Sequence, residues 1–353
     1  MNRKEPATKR RRKDTRDGEP LRENAKKFNF QDMKMNFGNY EVWRQAAVFV
    51  RGCLYVPILI NPFDHSKYIQ WVNEQNSIIG RSACFVNCLV YDPVTGNTRE
   101  TKKSSRPVLI RLGWMFSVWK GDEAGKIVYH DNLRDFMHVL DVETEEFSFF
   151  CTPFELMINT AVSFEDGRLV TSNDHVRMDL VGPCIVNRRK ELVNMRQDGD
   201  YICPSAMLLE SREVTGHPPV LIDTEIVSGS QRGTCLVQNS RGHYIMINVD
   251  NTVIVISERF QYLFAFDALF LDRPHFDNVG ESGDRMLTLD PYDNMYIQIS
   301  GPQNGIVWYT ADGKYKNTLS LHVASCMQFI ENRLYILKLK NDKNVLKSSL
   351  VYK

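Results

Sequence analysis

No Asn-x-Ser/Thr sequon occurs in the 353 residues, and no apolar run reaches the roughly 18 residues of a membrane span. The N-terminus carries charge with no apolar segment behind it, so neither a secretory signal nor a membrane contact is expected. Long helical periodicity is nearly missing, which argues against a bundle or a layered α/β fold. The eight histidines show no HExxH spacing, and there is no G-x-S-x-G elbow, Walker loop or Gly-rich phosphate cradle. An enzyme is therefore not expected, nor a cofactor, a metal or a small-molecule substrate. Of the eight cysteines only Cys84 and Cys88 lie close together, and no second pair completes a zinc site. They read as free thiols of a reducing compartment.

Hydrophobic residues make up 43% of the chain and aromatics 11%, the composition of a folded protein. The net charge of +1 hides an asymmetry. Residues 1–27 hold eleven Lys/Arg against five Asp/Glu, and the remainder holds 33 against 38. Residues 1–27 are polar and aperiodic, so they read as a disordered basic tail ahead of one domain over 28–353. Within the tail, Lys9, Arg10, Arg11, Arg12 and Lys13 form a basic run. It suits a nuclear localisation signal, a phosphate-binding arm, or a solvated tail with no further role.

From Phe28 onward β character dominates, and one device recurs: apolar strand, tight turn, apolar strand. Its turns are anchored at Gly52, Gly113, Gly167, Gly242, Asn294 and Asn332. Hairpins recurring at such intervals predict an all-β chain forming a single β-propeller. Six blades follow from the anchors. A seventh, favoured here, fits the long step between Gly167 and Gly242, where Pro204–Glu210 and Pro219–Val227 supply short strands. The last unit has three strands, and the orphan strand over 28–37 is expected to close the ring as its fourth. A two-layer sandwich is the alternative, but it rarely needs so much strand.

Cys88-Leu89-Val90-Tyr91-Asp92-Pro93-Val94-Thr95-Gly96-Asn97 resembles the outer-strand segment of kelch repeats, although their paired glycines are missing after Val56 and Val118. Met286–Ile297, running on to Trp308–Tyr315, is similar to an NHL-type repeat. These resemblances imply a rigid platform that binds proteins, or in some NHL-type propellers RNA; fold alone does not choose.

Asp92, Asp141, Asp290 and Asp312 recur after strands, where they read as local turn caps rather than acid–base pairs. The clusters Lys102-Lys103 with Arg106, and Arg188-Arg189-Lys190, read as solvated rim on an acidic body. The segment from Phe260 to Phe276 is too apolar for a solvent loop. It is either inter-blade packing or a partner surface, with Phe264, Phe266, Phe270, Arg273, His275 and Phe276 as its candidates. The polar stretch between Asn194 and His217 offers a second docking place. The expected function is a non-enzymatic protein-interaction scaffold, a subunit of a nuclear complex (otherwise cytoplasmic) with one or more protein partners. The alternatives are an RNA-binding propeller and the substrate-recognition subunit of a ubiquitin ligase.

Overall fold

The computed structural model describes residues 31–33, 35, 40, 42, 46–60, 82–111, 118–131, 136–151, 162–165, 168–171, 177–179, 183–211, 213–222, 233–248, 251–268, 286–299, 305–320, 326–340 and 343–350. Among them the secondary structure is 29 β-strands in antiparallel sheets. A short β1 (Gln31–Met33) precedes blade 1, which is β2 (Val48–Val50), β3 (Cys53–Leu59), β4 (Ser82–Tyr91) and a split outer strand, β5 (Thr98–Glu100) and β6 (Val108–Arg111). Blade 2 is β7 (Val118–Gly121), β8 (Lys126–Asp131), β9 (Phe136–Asp141) and β10 (Phe147–Cys151). A three-stranded sheet follows, β11 (Val162–Glu165), β12 (Arg168–Thr171) and β13 (Arg177–Asp179). Blade 3 is β14 (Cys184–Val186), β15 (Glu191–Asp198), β16 (Tyr201–Leu208), β17 (Val214–Gly216) and β18 (Val220–Leu221). Blade 4 is β19 (Gly233–Gln238), β20 (Tyr244–Asn248), β21 (Thr252–Ile256) and β22 (Tyr262–Asp267). Blade 5 is β23 (Met286–Leu289), β24 (Met295–Ile299), β25 (Gly305–Tyr309) and β26 (Tyr315–Ser320). Blade 6 is β27 (Cys326–Ile330), β28 (Arg333–Lys340) and β29 (Lys343–Leu350), with β1 at its outer edge.

The innermost strands meet in a cycle: β2 packs on β7, β7 on β14, β14 on β19, β19 on β23, β23 on β27, and β27 on β2. The protein is a six-bladed β-propeller. The expectation of seven is corrected by this cycle. The degenerate unit in the long step is real, being blade 3, but the Gly167 hairpin falls in the sheet β11–β13. That sheet packs through β13 on β15, β16 and β17, while β7 and β14 touch directly and leave no place for a blade between them. The turn expected at Gly113 lies outside the described residues, and the strands on either side of it belong to different blades, since β6 completes blade 1 and β7 opens blade 2. The polar stretch between Asn194 and His217, expected as a second docking place, supplies most of β15 and all of β16 and β17 of blade 3.

Closure rests on blade 6 meeting blade 1. An apolar cluster joins Cys326, Tyr335 and Leu337 to Phe49, Leu54, Val56 and Leu89. The strand expected over 28–37 is described only as the three residues of β1, which run antiparallel to β29 with Gln31 opposite Ser348. Those residues lie at the outer edge, whereas the β2–β27 contact is at the axis.

Each blade buries both faces. In blade 4, Tyr244, Met246, Ile254 and Ile256 pack toward blade 3, while Ile245, Ile247, Val253 and Val255 pack toward blade 5. A strand covered on both sides has no polar face, which is why the central strands read as continuous β-branched runs instead of alternating. Six such clusters fill the six blade interfaces. Among the described glycines the closest backbone approach is at Gly121, where an added Cβ would lie 2.0 Å from the carbonyl oxygen of Val186. Gly121→Ala is expected to force β7 off β14 and destabilise the fold by about 2 kcal/mol, read as a lower urea midpoint. An unchanged midpoint would show that the two blades are not so tightly apposed.

Candidate functional site

In an antiparallel blade the turn after the innermost strand and the turn before the outermost strand lie at the same end, so one face of the ring is built from both sets. On that face the inner turns of blades 3, 4 and 5 share one construction. Asn187 Oδ1 accepts the N–H groups of Arg189 and Glu191, both at 2.9 Å. Asn239 Oδ1 accepts those of Arg241 and His243 at 3.0 and 2.9 Å, and Asp290 Oδ1 those of Tyr292 and Asn294 at 2.8 and 2.9 Å. Three residues after each cap the backbone is left-handed, at Lys190, Gly242 and Asp293. The outer turns of blades 4 and 5 repeat the pattern with hydroxyls: Ser257 Oγ accepts Gln261 N–H and Thr310 Oγ1 accepts Lys314 N–H, with Phe260 and Gly313 left-handed. Short polar side chains at the first turn position satisfy amides that would otherwise be unpaired.

Asp92 and Asp141 cap a turn one residue longer, each accepting two successive amides, with Gly96 and Glu145 left-handed. Burial pushes the Asp141 carboxyl up, but the Lys126 ammonium and the Thr144 and Glu143 amides more than offset this and hold it below the usual range. Asp312 is held at about 2 by Lys314 and Thr310. These aspartates serve their own turns.

The turns are also tied to one another around the ring. Arg51 of blade 1 donates from Nε to the carbonyl of Asp122 at 3.2 Å and from Nη2 to that of Glu123 at 3.1 Å, and pairs with Glu143 at 2.5 Å. Arg188 of blade 3 pairs backward with Glu123 at 2.6 Å and donates forward to the Asn239 carbonyl at 2.7 Å. Ser240 donates its N–H and its hydroxyl to the two Asp293 oxygens at 2.8 and 2.7 Å, joining blades 4 and 5. Phe329 N–H donates to Thr288 Oγ1 at 3.2 Å, joining blade 6 to blade 5. Lys120, on the innermost strand of blade 2, donates to the Phe49 carbonyl of blade 1 at 2.7 Å and to Gln328 Oε1 of blade 6 at 2.6 Å. It thus reaches past one whole blade beside the axis.

Blade 2 presents six carboxylates in its two turns, and each has a cation. Asp122 meets Lys120, Glu123 meets Arg188, Asp141 meets Lys126, Glu143 meets Arg51, Glu145 meets Arg99 and Glu146 meets Lys102. Four of those six cations come from blades 1 and 3. The basic arc of blades 3 and 4 is matched in the same way, with Arg189 on Glu191, Lys190 on Glu210 and Arg241 within 3.9 Å of Asp293.

Of the expected partner surface, Phe264 and Phe266 are half-buried on β22 and pack toward blade 5, with the Phe266 ring 4.9 Å from that of Tyr309. Phe270, Arg273, His275 and Phe276 lie outside the described residues, as do Lys9, Arg10, Arg11, Arg12 and Lys13. Trp119 stacks on His130 and Trp308 on Tyr296, both within blades. Sequence reasoning missed Lys120 and the acidic turns as a connected group. The spacing Asn/Asp/Ser/Thr-x-x-x-x, repeated at 187, 239, 257, 290 and 310, was the signal available for the turn face.

No protein-family model matches the chain, and no curated protein matches it in sequence, so the kelch-like and NHL-like resemblances gain no support. Solved structures similar in shape include a streptogramin B lyase (10% identity, TM-score 0.45), which aligns over 92% of this chain and 98% of its own. A member of the DUF4221 family from Bacteroides vulgatus (9%, TM-score 0.44) aligns over the same shares. A protein of unknown function from Bacteroides caccae (9%, TM-score 0.37) aligns over 73% of this chain and 81% of its own.

Two outcomes are expected of the caps. Asp290→Ala strips the buried acceptor shared by Tyr292 N–H and Asn294 N–H in a part-buried turn and should cost about 1–2 kcal/mol in chemical denaturation. Asp290→Asn, which copies Asn187 and Asn239, should cost clearly less; equal losses would refute the capping role. For Asp141, whose folded value is depressed, the stabilisation is complete above the ordinary carboxylate value of about 3.9 and is lost as pH falls through the lowered value. Urea midpoints at pH 7, 4 and 3 should therefore fall, and Asp141→Asn should flatten that fall; an unaltered slope would assign the acid sensitivity elsewhere.

Proposed function

We propose that this protein is a non-enzymatic protein-interaction platform whose turn face receives the partner, within a nuclear complex. The observation that carries this reading is the ring of side-chain-capped turns tied blade to blade by Arg51, Arg188, Ser240 and Lys120. Turns held in one conformation before binding lose little ordering entropy on association. A phosphate backbone calls for a stripe of uncompensated cations, whereas the basic arc of blades 3 and 4 is interleaved with carboxylates. That favours a protein over RNA. The run Lys9–Lys13 would supply nuclear import, and β1 along blade 6 would act as an outer clasp on the ring. No observation singles out a ubiquitin ligase among complexes.

The test is affinity purification of the full-length protein from its native cells, with and without nuclease, read by mass spectrometry. Stoichiometric protein partners that survive nuclease and moderate salt are expected. Partners that vanish with nuclease, leaving RNA crosslinks on the propeller, would overturn the platform reading. Removing residues 1–27 should shift the protein to the cytoplasm, and unchanged nuclear accumulation would dismiss the import role.

A further inference from the structure

The outer strand of blade 1 is broken between β5 and β6, and residues 102–106 bulge from the sheet there. Two buried residues bracket the bulge, Thr101 and Pro107. Thr101 is pinned to β4, its N–H donating to the Cys88 carbonyl and its Oγ1 accepting the Cys88 N–H, both at 2.9 Å. Pro107, with no N–H to leave unpaired, leads back into β6. Between these anchors Lys102, Lys103, Ser105 and Arg106 are exposed. The strand lies at the end of its sheet, so its outer edge meets no further strand of the blade.

The two serines of the bulge are not equivalent. Ser104 is half-buried, donates its N–H to the Val86 carbonyl at 2.7 Å and accepts Arg106 N–H on its Oγ at 3.3 Å. The Ser105 hydroxyl makes no hydrogen bond among the described residues. Beyond it the chain is anchored again, since the Arg106 guanidinium lies 4.2 Å from the centre of the Phe149 ring on blade 2. Lys103 makes no ion pair among the described residues, and Lys102 meets Glu146 with both side chains more than half exposed, a contact of little strength. Across the whole chain only Ser105 and Thr15 carry Lys or Arg at both the second and the third position before the hydroxyl. Thr15 lies outside the described residues.

We propose that Ser105 is a phosphorylation site for a protein kinase whose acidic subsites take Lys102 and Lys103. Such an enzyme grips an extended segment by its side chains and by an open edge, and the bulge offers both. The Ser105 Oγ attacks the γ-phosphorus of ATP. An Oγ–P bond forms as the bond from that phosphorus to the bridging oxygen breaks. The electron pair departs on ADP, and the hydroxyl proton passes to the kinase's catalytic carboxylate. The product carries close to two negative charges on a rim that had an exposed neutral hydroxyl.

The experiment incubates the full-length folded protein with the catalytic subunit of cyclic-AMP-dependent protein kinase and MgATP, and maps phosphate by tandem mass spectrometry. A urea-unfolded sample, diluted into the same reaction, runs beside it. Expected is phosphate on Ser105 of the folded protein, lost in Ser105→Ala and kept in Ser105→Thr. Replacing both lysines (Lys102→Gln with Lys103→Gln) should lower kcat/KM at Ser105 by about 30-fold. The melting temperatures of these variants should match that of the parent, because all the altered side chains are exposed. Phosphate on Ser105 only after unfolding would show that the bulge is withheld by the fold and would overturn the proposal. So would phosphate confined to Ser104 or Thr15, no incorporation at all, or a rate at Ser105 indifferent to the two lysines.

Discussion

Apolar residues on both faces of every blade impose the constraint from which the rest follows. A sheet such as β19–β22 cannot shed its water by packing on one neighbour, because Ile245 and Val253 face one way and Tyr244 and Ile254 the other. Adding a blade only moves the uncovered face along. The problem ends when the last blade meets the first, where Leu337 and Tyr335 cover Phe49 and Leu54. A closed ring is therefore required by burial, and it also removes the open faces through which sheets aggregate. Stability of this kind is cooperative across the ring, since opening one interface exposes two faces at once.

Closure leaves the turns at the ends of the strands as the only places free to vary, and it sets them close together. The turn face exploits that proximity. Arg51 and Arg188 reach from either side into the acidic turns of blade 2, and Lys120 spans from blade 2 to blade 6 beside the axis. Individually exposed pairs of this sort contribute little, but a network sharing partners fixes the relative positions of turns that local caps have already shaped. Geometry set twice, within each turn by Asn187, Asn239 or Asp290 and between turns by these links, is what makes the face suitable for recognition.

Much of the local structure was legible along the chain. Hairpins at Gly52, Gly242, Asn294 and Asn332 occur where apolar runs flank turn residues, and the Asp92 and Asp141 turns share the form their sequences share. The Gly167 hairpin was legible too, yet its place was not. A hairpin is recognised by period and turn chemistry over about ten residues, whereas membership of the ring depends on which strand abuts its neighbours at the axis. Blade 3 hid because its inner turn, Asn187–Glu191, has no glycine: Lys190 takes the left-handed position, and the Asn187 cap makes this tolerable. Phe264 and Phe266 posed the opposite difficulty, as an apolar run looks alike whether it faces solvent or the next blade.

By itself the sequence determined an all-β chain, its turn positions, a basic N-terminal segment and the lack of familiar catalytic motifs, because each of these depends on neighbours a few residues apart. The number of blades, the packing of β7 on β14, the reach of Lys120 and the tie between the inner turns of blades 4 and 5 were decided only in the tertiary structure. Each needs residues from different blades brought together, such as Ser240 with Asp293 or Lys120 with Gln328. Contacts across so much chain leave no mark in local composition, and ring closure is what creates them.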